Sequence, residues 1–128
     1  MSETPVISIV DDDASIRGAT ARLVRLNGFT AHVFSSAEEF LQSPRVEDTS
    51  CLITDVKMGG MSGLDLQRHL IGLGSRMPII FITAFPDEAN KAKAMEGGAA
   101  CVLAKPFDGQ TLIDCLAQVL QAGAGKQP

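Results

Sequence analysis

The segment Cys51-Leu52-Ile53-Thr54-Asp55 is a short apolar run that stops on a carboxylate, with Gly59 and Gly60 a few residues beyond it. A run of that length suits a strand covered on both faces of a parallel sheet. Asp55 then stands at the strand's C-terminal end, the edge at which open α/β sheets bind ligands. Val6-Ile7-Ser8-Ile9-Val10 repeats the pattern and ends on Asp11, Asp12 and Asp13. Two such strands side by side bring several carboxylates to one rim, which is costly unless a cation sits among them.

Outward from these strands, helical and extended patterns alternate. Ile16, Ala19, Leu23 and Leu26 recur at helical spacing, Asp13 or Ser15 can cap the start, and Asn27-Gly28 supplies a stop. Phe29 to Phe34 alternates Thr30 and His32 with Ala31 and Val33, as an edge strand with one wetter face would. Ser36-Ala37-Glu38-Glu39 has capping-box spacing and opens a short helix that Ser43-Pro44 ends. Ser62 to Asp65 caps a helix with the stripe Leu66, Leu70, Leu73, closed by Gly72 and Gly74. Pro78 to Thr83 is a further buried strand that ends on a hydroxyl.

The stretch from Asp87 to Glu96 predicts a helix with a thin apolar face, and a helix that buries little is easily displaced. Ala100 to Ala104 is a last strand, followed by Lys105-Pro106. Asp108 caps a final helix that turns Leu112, Ile113, Leu116, Val119 and Leu120 inward. Five strands alternating with five helices, joined by right-handed crossovers, make one parallel sheet with helices on both faces. The domain is expected to span residues 5–121, with 122–128 a flexible, glycine-rich tail or the start of a linker.

At 128 residues the chain holds one domain with a single apolar core and no room for a separate substrate domain. Its net charge of −4 argues against broad binding of nucleic acid or anionic membrane. No apolar segment is long enough to span a bilayer, and residues 1–5 lack the features of a signal peptide, so a cytoplasmic location is expected. Cys51, Cys101 and Cys115 are odd in number and set among apolar residues, which reads as buried reduced thiols. His32 and His69 lie away from any acid or cysteine cluster and are assigned to surface or edge positions.

On this topology Asp11 and Asp12, Asp55, Thr83 and Lys105 meet at one rim. Two or three carboxylates suit a hard dication such as Mg²⁺. A carboxylate can act as a nucleophile toward phosphorus, a hydroxyl can donate to a phosphoryl oxygen, and an ammonium can offset its charge. Singly, an acid between strand and helix is more often a cap, Thr83 an ordinary strand end and Lys105 a solvated cation. Their convergence on four strand ends favours chemistry.

The motifs Ile9-Val10-Asp11-Asp12-Asp13 with Arg17, Asp55-Val56-Lys57-Met58 with Met61-Ser62-Gly63, Ile82-Thr83-Ala84, and Lys105-Pro106-Phe107 resemble those of response regulator receiver domains of two-component systems, nearest to the FixJ type. The likeness runs from about Val6 to Leu120. It implies the flavodoxin-like, doubly wound sheet of order 2-1-3-4-5. It also implies Asp55 as phosphoacceptor, Asp11, Asp12, Asp55 and the Lys57 main-chain carbonyl as Mg²⁺ ligands, Thr83 as the phosphoryl-sensing hydroxyl, Lys105 as its counter-ion, and a cis Lys105-Pro106 bond. The implied partners are a sensor histidine kinase as phosphodonor and a downstream effector or C-terminal output domain, DNA-binding in a transcription regulator. A phosphorylation-dependent dimer is a further possibility, and this domain itself binds neither nucleic acid nor membrane.

The chain departs from the family pattern twice. Gly59-Gly60 stands where a proline and often an acid are usual, which predicts a more mobile loop, and Val102 replaces a frequent aromatic, which moves the expected response to the Phe85 loop and the Asp87–Glu96 helix. The rival reading is a haloacid-dehalogenase-like phosphatase using Asp11 as nucleophile; no late acidic pair follows Lys105 to support it. A flavin-binding module on the same fold is weakened by the absence of Trp and Tyr.

Overall fold

Short runs of β-branched and large apolar residues, each cut off by glycine, proline or an acid, all become strands: β1 Val6–Val10, β2 Thr30–Phe34, β3 Cys51–Asp55, β4 Ile79–Thr83 and β5 Cys101–Ala104. The computed structural model describes residues 4–84, 87–105 and 107–125, and of residues 122–125 the backbone alone. Phe85, Pro86 and the Lys105-Pro106 peptide bond therefore lie outside the described residues. The strands form one parallel sheet of order β2-β1-β3-β4-β5. This is the flavodoxin-like arrangement, and the chain order reverses between β1 and β3. Every residue of β3 and β4 is buried, as expected of central strands covered on both sides.

Among the described residues five α-helices alternate with the strands: α1 Ala14–Leu26, α2 Ala37–Leu41, α3 Gly63–Gly72, α4 Glu88–Glu96 and α5 Gly109–Gly125, with a 3₁₀ turn over Pro44–Val46. They divide between the two faces. Ala21 and Val24 of α1 and Leu112 and Leu116 of α5 pack on Ile7, Ile9, Ile53, Ile80 and Ile82. Phe40 of α2, Leu66 and Leu70 of α3 and Ala94 of α4 pack on Val10, Leu52 and Phe81 across the other face.

The caps follow the sequence closely. Asp13 accepts from the Ser15 and Ile16 N–H groups at the head of α1. Ser62 and Asp65 form a reciprocal capping box on α3. At α2, Ser36 caps Glu39 N–H, but the Glu39 carboxylate turns back to Ser35 instead of Ser36.

Four expectations need correction. The buried face of α1 runs through Thr20, Ala21 and Val24, while Leu26 is 75% exposed, because it falls on the opposite side of the helix from those three. Leu73 likewise is 63% exposed past the end of α3. The α5 backbone stays helical to Gly125, so residues 122–125 continue the helix into the stretch expected to be a flexible tail. Finally, Cys101 and Cys115 are joined as a disulfide instead of standing as reduced thiols, since α5 folds back over β5 and brings residues 14 apart together. Cys51 is a buried free thiol, as expected.

The α4 helix is thinly anchored, with Ala94 its single buried residue. Gln67 of α3, itself buried, donates from Nε2 to the Ala94 carbonyl at 3.0 Å. A Cβ on Gly97 would meet the Gln67 amide at 2.5 Å, so this joint is tightly filled.

Candidate functional site

The register of the sheet fixes the rim. Val10 pairs with Thr54, Asp55 with Ile82, and Thr83 with Ala104, so the residues at or just past these strand ends fall in one row. Asp11, Asp55 and Thr83 are buried there. One carboxylate oxygen from each of Asp11, Asp12 and Asp55 lies within 4.8 Å of the others, Asp12 being the exposed member.

Lys105 leaves β5 and reaches back across β4. Its Nζ donates to Asp55 Oδ2 at 2.7 Å and to Asp11 Oδ2 at 3.2 Å. The backbone holds the lysine in place, because Lys105 N–H donates to the Thr83 carbonyl at 2.8 Å. Burial disfavours the ammonium, yet the hydrogen bonds it donates to Asp55 and Asp11, with the charges of those two acids, outweigh burial and lift the Lys105 pKa above its ordinary value. Burial also lifts the Asp11 carboxyl, against the opposing pull of Asp13 N–H and Lys105. An ion pair alone would lower the acid, so for Asp11 desolvation beside a second carboxylate is the stronger effect. Lys105 is chiefly the partner of Asp55, at the shorter distance.

The loop from Val56 to Ser62 is tied to this cluster. Lys57 N–H donates to Asp55 Oδ1 at 3.1 Å, and Gly59 N–H donates to Asp12 Oδ2 at 3.2 Å. A proline at 59 could make no such bond, having no N–H. Met61 N–H donates to Glu38 Oε2 at 3.1 Å. The Gly59-Gly60 pair lies in a loop whose N–H groups donate to three carboxylates. At its far end Gly63 N–H closes on the Val56 carbonyl at 2.9 Å. A Cβ on Gly63 would overlap the Asp55 carbonyl oxygen and crowd Phe81 at 3.2 Å, so α3 can start against Asp55 only with glycine there.

Asp11, Asp12, Asp55, Thr83 and Lys105 thus gather at one rim, with Lys57 in the adjoining loop. Two others join them. Arg17 donates from Nη1 to the Asp11 carbonyl at 2.8 Å, fixing the turn out of β1. Glu38 had no role assigned, and nothing in its spacing singled it out.

Buried carboxylates sharing one ammonium, an exposed third acid and a strand-end hydroxyl can bind a dication and a transferable phosphoryl group. The profile of the response regulator receiver domain matches residues 7–117. Nodulation protein W of Bradyrhizobium diazoefficiens is 43% identical over 115 residues, covering 90% of this chain and 51% of that protein. Transcriptional regulatory protein FixJ of Azorhizobium caulinodans is 36% identical, covering 88% of this chain and 54% of its own length. The chain spans about half the length of the curated relatives it matches. The solved structure of the FixJ N-terminal part superposes with a TM-score of 0.83 at 32% identity, over 94% of this chain and 96% of that one. Nothing in these comparisons supports the phosphatase reading. The sheet order, the acidic rim with its lysine and these matches together make the chain a member of the response regulator receiver domain family, a signalling module controlled by phosphorylation.

Proposed function

We propose that Asp55 is the phosphoacceptor, taking a phosphoryl group from the phosphohistidine of a partner sensor histidine kinase and later losing it to water. The observation that carries this reading is the Lys105 ammonium bridging Asp55 and Asp11 beside Asp12, an arrangement with one nucleophile at the end of the central strand and its counter-ion already in reach. In the transfer, an Asp55 carboxylate oxygen bonds to phosphorus as the phosphorus–nitrogen bond breaks, and the imidazole leaves as the neutral or protonated ring. In the return, a water oxygen bonds to phosphorus as the bond to the Asp55 oxygen breaks; a proton is released, inorganic phosphate departs and the Asp55 carboxylate is restored.

Three carboxylate donors fit Mg²⁺, which Asp11, Asp12 and Asp55 would hold together with the Lys57 main-chain carbonyl; when bound it neutralises charge on the transferred group. Lys57 N–H steadies Asp55 Oδ1. Lys105 is placed to pass from Asp55 Oδ2 to a phosphoryl oxygen, and the buried Thr83 hydroxyl to donate to another. The response then falls on Ala84 and the thinly anchored α4, since Val102 is too small and too restricted at χ1 to swing as a ring would. In a longer protein the module acts in the cytoplasm and controls an output domain or effector, DNA-binding in a transcription regulator, through a phosphorylation-dependent dimer or a direct contact.

The test is incubation with Mg²⁺ and a small acyl phosphate. Intact mass should rise by one phosphoryl group, and Asp55→Asn should abolish the gain; label on Asp11 instead would refute the assignment.

A further inference from the structure

The Val56–Ser62 loop carries the Lys57 carbonyl and is held by three carboxylates, of which two, Asp55 and Asp12, are themselves engaged when the site binds a cation and a phosphoryl group. Glu38 is the third. It comes from the first turn of α2, outside the acid cluster, and its Oε2 accepts from Met61 N–H at 3.1 Å. The contact is built from both sides. Gly60 has φ +81°, a conformation that turns the following N–H toward α2, and a Cβ there would stand 2.9 Å from the same Glu38 oxygen.

We infer that Glu38 is a positioning residue for the phosphorylation site, a latch that keeps residues 57–61 seated while Asp12 and Asp55 exchange their loop hydrogen bonds for other partners. The inference rests on the receiver reading of the rim. Its physical content is reach: the latch needs an oxygen at the end of a glutamate-length side chain, and it does not need the negative charge. A distant electrostatic influence on the cluster would need the opposite.

Two substitutions separate these. Glu38→Gln keeps an acceptor oxygen at full length without the charge, whereas Glu38→Asp keeps the charge and draws the oxygen back by one methylene. The measurements are Mg²⁺ affinity by titration calorimetry and the half-life of the Asp55 phosphoryl group after loading with a small acyl phosphate, with thermal midpoints as a control for α2. The latch predicts that Glu38→Gln matches wild type in both. Glu38→Asp and Glu38→Ala should each weaken Mg²⁺ binding about three- to tenfold, the weight of one ordinary hydrogen bond, and change the half-life. If Glu38→Asp matches wild type while Glu38→Gln behaves as Glu38→Ala, the effect is charge and the latch is refuted. If wild type loads normally and Glu38→Ala equals it, the latch alone falls. A wild-type protein that neither binds Mg²⁺ nor loads at Asp55 overturns the receiver reading and this inference with it.

Discussion

Replacing Lys105 by Met removes an ammonium that donates to both Asp55 and Asp11 and keeps the length of the side chain. The lysine side chain is 14% exposed and its two partners are 10% and 4% exposed, so all three charges are largely out of water. Breaking a buried pair by removing one partner costs about 3–5 kcal/mol. Asp12 leaves one side of this cluster open to solvent, which lowers the figure to about 2–3 kcal/mol in metal-free protein. The Lys105 pKa is raised, so its stabilisation is complete below the ordinary lysine value of 10.5 and disappears as pH climbs through the higher folded value. In neutral buffer the whole difference is present.

Mg²⁺ affinity should change in the other direction. A dication about 5 Å from an ammonium is repelled by about 1.7 kcal/mol even at the dielectric constant of water, so Lys105→Met should bind Mg²⁺ more than about tenfold more tightly. Phosphoryl acceptance should nevertheless fall, because the counter-ion is gone. The chain has neither Trp nor Tyr, so far-UV circular dichroism in denaturant and titration calorimetry are the suitable assays. A Lys105→Met protein with unchanged metal-free stability and unchanged Mg²⁺ affinity would refute the view that this ammonium holds the acids together.

Asp12→Ala should lower Mg²⁺ affinity at least about tenfold by calorimetry. It should alter metal-free stability by no more than about 0.5 kcal/mol, since relief of repulsion is offset by loss of the Gly59 contact. Gly63→Ala should cost more than about 2 kcal/mol in chemical denaturation, because the new methyl meets the Asp55 backbone and not a side chain that can turn aside. In oxidised protein, alkylation after unfolding without reductant should modify Cys51 alone, as mass spectrometry of the peptides will show. In the folded protein Cys51 should resist the reagent, since burial pushes its thiol up to about 12.

The buried runs Cys51–Asp55 and Ile79–Thr83 announce themselves because no polar alternation interrupts them, and their terminal Asp55 and Thr83 sit where the sequence puts them. The order of the strands is less visible in periodicity and comes from the motifs at the rim. Contacts between segments far apart are not legible at all. Glu38 and Met61 are 23 residues apart, and no spacing rule links an acid in the first turn of one helix to an N–H ahead of the next. The pairing of Cys101 with Cys115 is hidden likewise, since it depends on how α5 lies over β5. Leu26 misleads in a different way: its spacing is helical, but the stripe it belongs to is rotated away from the face of Thr20, Ala21 and Val24 that is buried. In the last helix the glycines at 123 and 125 suggest flexibility, whereas hydrogen bonding along α5 carries the backbone through them.

The joint between Gln67 and Ala94 makes α4 a lever. The helix is pinned near its C-terminal end, where Gln67 grips the Ala94 carbonyl and Gly97 abuts it, and Ala94 is its only buried residue. Six residues, about 9 Å of helix, separate Ala94 from Glu88 at the other end. A rotation of about 15° about the pin carries the Glu88 end about 2 Å while Met95 hardly moves. A partner that reads Glu88 therefore senses the rotation at nearly full amplitude, one that reads Lys91 at about half, and one that grips Met95 almost not at all. If phosphorylation rotates α4 about this pin, the end of the helix that a partner touches decides whether it binds in both states or in one.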